Sequence, residues 1–190
     1  PTISFDTEKR KMYEEVQIAD IDNIRCKLQH SPYKIDICPP TKSLNFLENR
    51  YLKHPIYTYH LYAVYQDDDI QGLLVLRPAK WNGHCALRLV DVYGASESLR
   101  ESFSILQQIM ERFDAEYVDM YTYGFPADIL RSSGFTELDP AGELVIPNYF
   151  EPFEQRNVQI NFAYKCSQNT ERYVVFKADA DQDRPNILQD

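Results

Sequence analysis

No run in this sequence approaches the roughly 18 apolar residues that a membrane-spanning helix needs, and no charged-then-apolar leader opens it. A CxxC pair is also missing. Cys26, Cys38, Cys85 and Cys166 are scattered, which reads as buried, inert thiols of a cytoplasmic protein, with a metal site or a disulfide pair as the alternative. Clustered basic residues are lacking as well: 20 Lys and Arg stand against 29 Asp and Glu, for a formal net charge of −9. Nucleic acid is therefore excluded as the expected partner, because neutralising phosphates takes grouped Lys and Arg. There is no internal repeat and no long linker. Tryptophan is nearly absent, with one Trp against 14 Tyr. That balance hints at polar-aromatic surfaces suited to sugars or a partner, although Tyr is equally a good strand residue.

What is present is a chain of 190 residues, 44% of them apolar, enough for the core of one domain. It begins at Pro1 rather than Met, which leaves it as a processed product or a piece of a longer protein. A short strand is expected over 13–17. Asp20 is placed to cap a helix through Leu28, with Ile21, Ile24 and Leu28 at helical spacing. Three prolines exclude helix from 31–40. Thr41 or Ser43 then caps a second helix whose apolar stripe is Leu44, Leu47, Tyr51 and Leu52, and His54-Pro55 ends it. Strands over 59–66 and 70–77 flank the acidic turn Asp67-Asp68-Asp69 and form a hairpin, with Tyr57, Tyr59, Leu61, Ala63 and Tyr65 on one face.

A strand over 86–93 runs into Gly94 and a single amphipathic helix over 96–113, whose buried side carries Leu99, Phe103, Leu106, Ile109, Met110 and Phe113. The next strand, 117–123, should lie parallel beside 86–93 through a right-handed crossover. A short helix ends in Ser133-Gly134-Phe135. Further strands are expected over 142–146 and 157–165, and the run 172–176 closes the sheet. Residues 177–190 read as a polar, frayed tail. Asp179, Asp181 and Asp183 have the alternate spacing of a calcium loop, but the loop's Gly and Glu are absent, so no metal site is expected.

The order of elements from Tyr59 to Thr136 resembles the core of the GNAT family of acyl-CoA N-acyltransferases. The resemblance implies an α/β (α+β) fold in a single domain: a mixed, twisted sheet of six to seven strands flanked by about four helices. In that family the strand matching 86–93 is followed by a Gln/Arg-x-x-Gly-x-Gly/Ala turn, where amides at a helix N-terminus hold the pyrophosphate of acyl-CoA. Here the equivalent residues are Val92, Tyr93, Gly94, Ala95 and Ser96, with one glycine rather than two and Glu97 in the first helical turn. Family members often carry a Tyr acid four residues before the glycine of the Gly134-Phe135 pair, and this chain has Leu130 there. Tyr123 is the candidate replacement.

Three stretches are similar to a divergent GNAT-like branch met among bacterial surface-polysaccharide biosynthesis proteins. They are the run from Phe46 to Tyr59, Leu87-Arg88-Leu89-Val90-Asp91-Val92-Tyr93-Gly94, and the ending that begins Phe176-Lys177-Ala178-Asp179 and runs to Asn186. The resemblance implies transfer of an acyl group from acetyl-CoA or another acyl-CoA to an amino group, for instance on an amino-sugar nucleotide. In that reading Asp91 is the general base, Tyr123 the reserve acid, and Arg50, His54, Tyr57 and Tyr59 the acceptor-binding group. The alternative for Asp91 is a structural pairing with Arg88 or Arg50. The alternative for the whole chain is a GNAT-shaped module that has lost catalysis and binds a ligand or partner. A homodimer and a missing N-terminal domain both stay open. The two functional readings differ in the gap between the parallel strands beside Tyr93: open and basic-rimmed for the enzyme, plugged by tyrosines for the module.

Overall fold

The structure, a computed structural model, describes residues 12–34, 40–100, 102–146, 156–157, 159–165 and 173–179. Cys38, Cys166 and residues 180–190 lie outside them. Five strands form one mixed sheet in the order β1-β2-β3-β4-β5: β1 (Met12–Val16), β2 (His60–Gln66), β3 (Asp69–Trp81), β4 (His84–Gly94) and β5 (Tyr117–Met120). The first four pair antiparallel, and β5 runs parallel to β4 as the crossover rule requires. The hairpin across the acidic turn forms as expected. A second hairpin joins β3 to β4 through Asn82-Gly83, both with positive φ (48° and 84°), the turn chemistry this dipeptide favours.

Helices cover both faces of this sheet. On one side lie α1 (Ile21–His30) and α2 (Leu44–Leu47), the latter continuing as a π-helical turn over Glu48–Leu52. Ser43 caps α2 by accepting from the Phe46 amide at 3.1 Å. Ile24, Leu28, Leu47 and Tyr51 pack there against Leu61, Ala63, Leu73 and Val75. On the other side, Leu99, Ile105, Leu106 and Ile109 cover Tyr62, Leu74, Leu76, Leu87 and Leu89. β3 is buried on both faces for most of its length, the state of a central strand in a covered sheet.

The single helix expected over 96–113 is two: α3 (Glu97–Arg100) and α4 (Phe103–Phe113). Buried hydroxyls break it. Ser102 Oγ and Ser133 Oγ both donate to the Leu99 carbonyl, at 2.8 and 2.5 Å. The break rotates the register, so Phe103 is 55% exposed and Ile105 takes the buried place. The strand expected over 117–123 is also divided, β6 (Thr122–Tyr123) following a break at Tyr121, and α5 (Ala127–Ser132) leads to Gly134. β6 pairs antiparallel with β7 (Val175–Phe176), and a 3-10 turn over Lys177–Asp179 follows. The described residues of 142–146 and 157–165 form no ladder. Instead the Asn157 side chain bridges them, accepting from the Ile146 amide and donating to the Leu144 carbonyl. Residues 177–179, expected as the start of a frayed tail, are packed inside, with Lys177 and Ala178 buried.

Candidate functional site

A β-bulge in β4 decides where Asp91 points. Val75 pairs with Asp91 but the next residue, Leu76, pairs with Leu89, so Val90 is the extra residue. Without it, Asp91 would share the Leu87 and Leu89 face. The bulge turns Asp91 and Tyr93 to the α1–α2 side, where Tyr93 packs on the core. The same point ends the pairing with β5, whose last partners are Leu89 and Met120. Beyond it the two parallel strands part.

That opening is filled by the chain itself. β7 and the turn after it lie against β4, while β7 pairs with β6 and the Lys177 amide donates to the Tyr121 carbonyl at 3.0 Å. Phe176 packs with Phe125 on one side of the sheet, and Ala178 joins the core on the other. The expected gap beside Tyr93 is therefore plugged, by residues 174–179 rather than by tyrosines.

The plug is tied down by buried charge. Lys42 Nζ donates to Asp91 Oδ1 at 2.6 Å and to Asp179 at 2.9–3.0 Å, and lies 4.8 Å from the centre of the Phe176 ring. Tyr51 donates its phenol proton to Asp91 Oδ2 at 2.5 Å, and Asp179 Oδ2 accepts from the Phe176 amide at 2.9 Å. Asp91 is fully buried, and desolvation pushes its carboxyl above the ordinary range against the opposing pull of Lys42. Burial, with the neighbouring Asp91 charge, raises the Tyr51 phenol far beyond titration in water. The partner of Asp91 is thus Lys42, not Arg88 or Arg50. Arg88 pairs with Asp119 on β5, and Arg50 lies over the Tyr51 ring. Lys42 had no local signal in sequence, and the acidic spacing that marked Asp179 pointed to a different chemistry; their meeting across 137 positions gives them a role.

The turn after β4 is used internally. Gly94 has φ 109°, and a Cβ there would meet Gly72 Cα at 2.6 Å and the Gln71 carbonyl oxygen at 2.7 Å. The glycine thus permits close passage of two strands. The Ala95 amide donates to that same Gln71 carbonyl at 3.0 Å, and Ala95 and Ser96 are buried. Val92 faces the α4 side. Glu97 does not stand free in the first helical turn: Arg100 holds it together with Asp128 of α5. Between the plugged opening and the committed amide, the described residues do not fit an acyl-CoA in this conformation.

His54, Tyr57 and Tyr59 do come together, their rings 5.3–6.2 Å apart, and the buried Arg77 guanidinium sits 4.1 Å from the Tyr57 ring centre. His54 Nδ1 accepts from the amides of Ile56 and Tyr57, so it caps the turn that follows Pro55 and carries its proton on Nε2. Tyr123 stands apart from Asp91, half exposed among Phe162 and Tyr164. Leu130 packs partly buried, its carbonyl accepting from Phe135. Cys26 is exposed, against expectation, beside His30; Cys85 is buried and its thiol is pushed up by desolvation.

No family model and no curated protein matches the chain. Solved structures that align with the chain include acetyltransferases. A ribosomal-protein-alanine N-acetyltransferase from Brucella melitensis biovar Abortus 2308 aligns over 72% of this chain and 98% of its own, at 10% identity and a TM-score of 0.48. A probable acetyltransferase aligns over 74% and 99%, at 17% identity and 0.47. An acetyltransferase of Trypanosoma brucei aligns over 72% and 100%, at 14% identity and 0.45. No helix among the described residues is long and apolar enough to cross a membrane.

Proposed function

We propose that this chain is a GNAT-shaped module that binds a ligand or partner and, with residues 174–179 in place, transfers no acyl group. One observation carries the reading: the space where the parallel strands part is occupied by the chain's own C-terminal segment. Asp91, the candidate base, is spent on Lys42 and Tyr51 and reaches no solvent from which an amine could arrive. The half-buried rings of His54 and Tyr57, resting on the buried Tyr59 and with Arg50 over the adjoining Tyr51 ring, are the surface we assign to the ligand, of which a sugar is the chemical class that stacked rings and phenols favour. The module acts as one domain, alone, as a homodimer, or joined to a further N-terminal domain.

A second reading keeps the enzyme: an N-acyltransferase using acetyl-CoA or another acyl-CoA on an amino sugar of bacterial surface-polysaccharide biosynthesis, in the cytoplasm. It is favoured by the same aromatic group as an acceptor site and by the half-exposed phenol of Tyr123. It requires residues 174–179 to leave the opening and the Ala95 amide to leave the Gln71 carbonyl before Val92, Tyr93, Gly94, Ala95 and Ser96 could hold a pyrophosphate.

A thermal shift with CoA and acetyl-CoA, against an unrelated nucleotide, separates the two. A ligand at about a hundred times its dissociation constant stabilises by roughly 2.7 kcal/mol, a rise of a few degrees at this size. The module reading expects no CoA-specific rise at millimolar ligand. A CoA-specific rise contradicts it and restores the enzyme.

A further inference from the structure

We infer that Lys42 and Asp91 are a self-modification site, at which Nζ and Cγ join in an amide bond while Asp179 moves the proton. This goes beyond the binding-module reading and is independent of it, because the bond concerns the chain alone and no ligand takes part.

The two partners stand 49 positions apart in sequence and meet at 2.6 Å, Nζ to Oδ1. A second acid, Asp179, holds the same nitrogen at 2.9–3.0 Å. The side chains of Lys42, Asp91 and Asp179 are 8%, 0% and 7% exposed, so bulk water, which drives such a bond toward hydrolysis, is kept out. The surroundings are apolar: the Phe176 ring centre lies 4.8 Å from Nζ, and Tyr51 is buried beside Asp91. Holding two opposite charges in such a place is costly, and condensation to a neutral amide abolishes both. Desolvation also raises the Asp91 carboxyl toward the protonated form that an amine can attack. Asp179 is fixed at the nitrogen by the Phe176 amide on its Oδ2, at 2.9 Å, and by the burial of Phe176, Lys177 and Ala178 before it.

The step balances within these side chains. The Lys42 ammonium passes one proton to Asp91 Oδ1, leaving a neutral amine beside a carboxylic acid. The nitrogen lone pair attacks Cγ and forms the C–N bond. Electrons move onto Oδ2, where the Tyr51 phenol at 2.5 Å meets the developing charge. Asp179 takes a proton from the nitrogen and returns it to the Oδ1 hydroxyl, whose bond to Cγ breaks as one water leaves. The products are a secondary amide, water and an unchanged Asp179 carboxylate, with no oxidant or cofactor consumed.

Intact-mass spectrometry of the denatured full chain, followed by peptide mapping, tests the bond. The expected wild-type chain is lighter than its sequence by one water and yields a branched peptide joining the segments of Lys42 and Asp91. Lys42→Arg and Asp179→Asn should each carry the full sequence mass. A folded wild-type chain at full mass overturns the bond and leaves an ion pair. A loss of water that maps elsewhere, or that persists in Lys42→Arg, overturns it equally. A branched peptide that persists in Asp179→Asn overturns the role given to Asp179. Where either variant fails to fold, the wild-type map alone decides.

Discussion

At the scale of single residues, the account rests on Lys42, a residue whose sequence surroundings say nothing about its role. Among the described residues it is the cation set between Asp91 and Asp179, and its removal leaves two buried carboxylates facing each other. Breaking a buried pair in this sense costs about 3–5 kcal/mol, so Lys42→Met should lower the free energy of unfolding by that much in urea. Asp91→Asn keeps the shape and removes one of two like charges, and should cost less, about 1–3 kcal/mol for the disturbed hydrogen bonds. Equal losses would mean that the ammonium is not what balances the site. Asp91 and Glu15 also titrate with opposite sign. Desolvation raises Asp91, so its contribution is full below the unfolded value of 3.8 and is lost as pH rises through the folded value. For Glu15, burial acts upward but hydrogen bonds from His60 and Arg112 outweigh it and lower its pKa. Its contribution is present above 4.5 and is lost as pH falls through the folded value. Glu15→Gln should therefore flatten the acid limb of the stability–pH profile below about pH 4.5. An unchanged limb would show that the contacts with His60 and Arg112 carry no weight.

At the scale of elements, most of the chain could be read from local pattern. The Ser43 cap, the apolar stripes of α1 and α2 and the hairpin across the acidic turn follow from spacing that the structure reproduces, whereas Asp20, expected to cap α1, turns its carboxylate back to the Gln17 amide. The other failures share a cause: contacts distant in sequence. Helix periodicity runs smoothly from Ser96 to Phe113, and nothing local announces that Ser133 will take the Leu99 carbonyl and break it. Alternation along β4 likewise cannot reveal the bulge at Val90, which depends on the register against β3. Asn82-Gly83, by contrast, is a local hairpin signal that needs no distant contact. The turn after β4 supplies the prediction at this scale. Gly94 is needed because backbone passes within contact distance of its Cα, so Gly94→Ala should destabilise by about 2–4 kcal/mol through strained φ and overpacking. If the glycine serves a bound phosphate instead, the variant will keep its stability and lose only ligand affinity.

At the scale of the whole molecule, the fold and the contents of its central opening are separate matters. The mixed sheet, the parallel crossover and the parting of β4 and β5 are the architecture that the sequence resemblance implied. Yet the place where that architecture would receive a cofactor is taken by residues 174–179, of which 174–176 fall in the strand expected to close the sheet and 177–179 in the expected polar tail. A fold hosts many functions, and the chemistry of the site decides among them. Here Lys42, Asp91 and Asp179 are turned toward one another, and His54 and Tyr57 stay half-exposed.

The central claim is that the C-terminal segment fills the opening, and nuclear Overhauser effects in the isotopically labelled chain test it most directly. The account predicts cross-peaks between the Lys42 side chain and the Phe176 ring, whose centre lies 4.8 Å from Nζ. Their absence, with the β2–β3–β4 contacts intact, would leave the gap open and contradict the account.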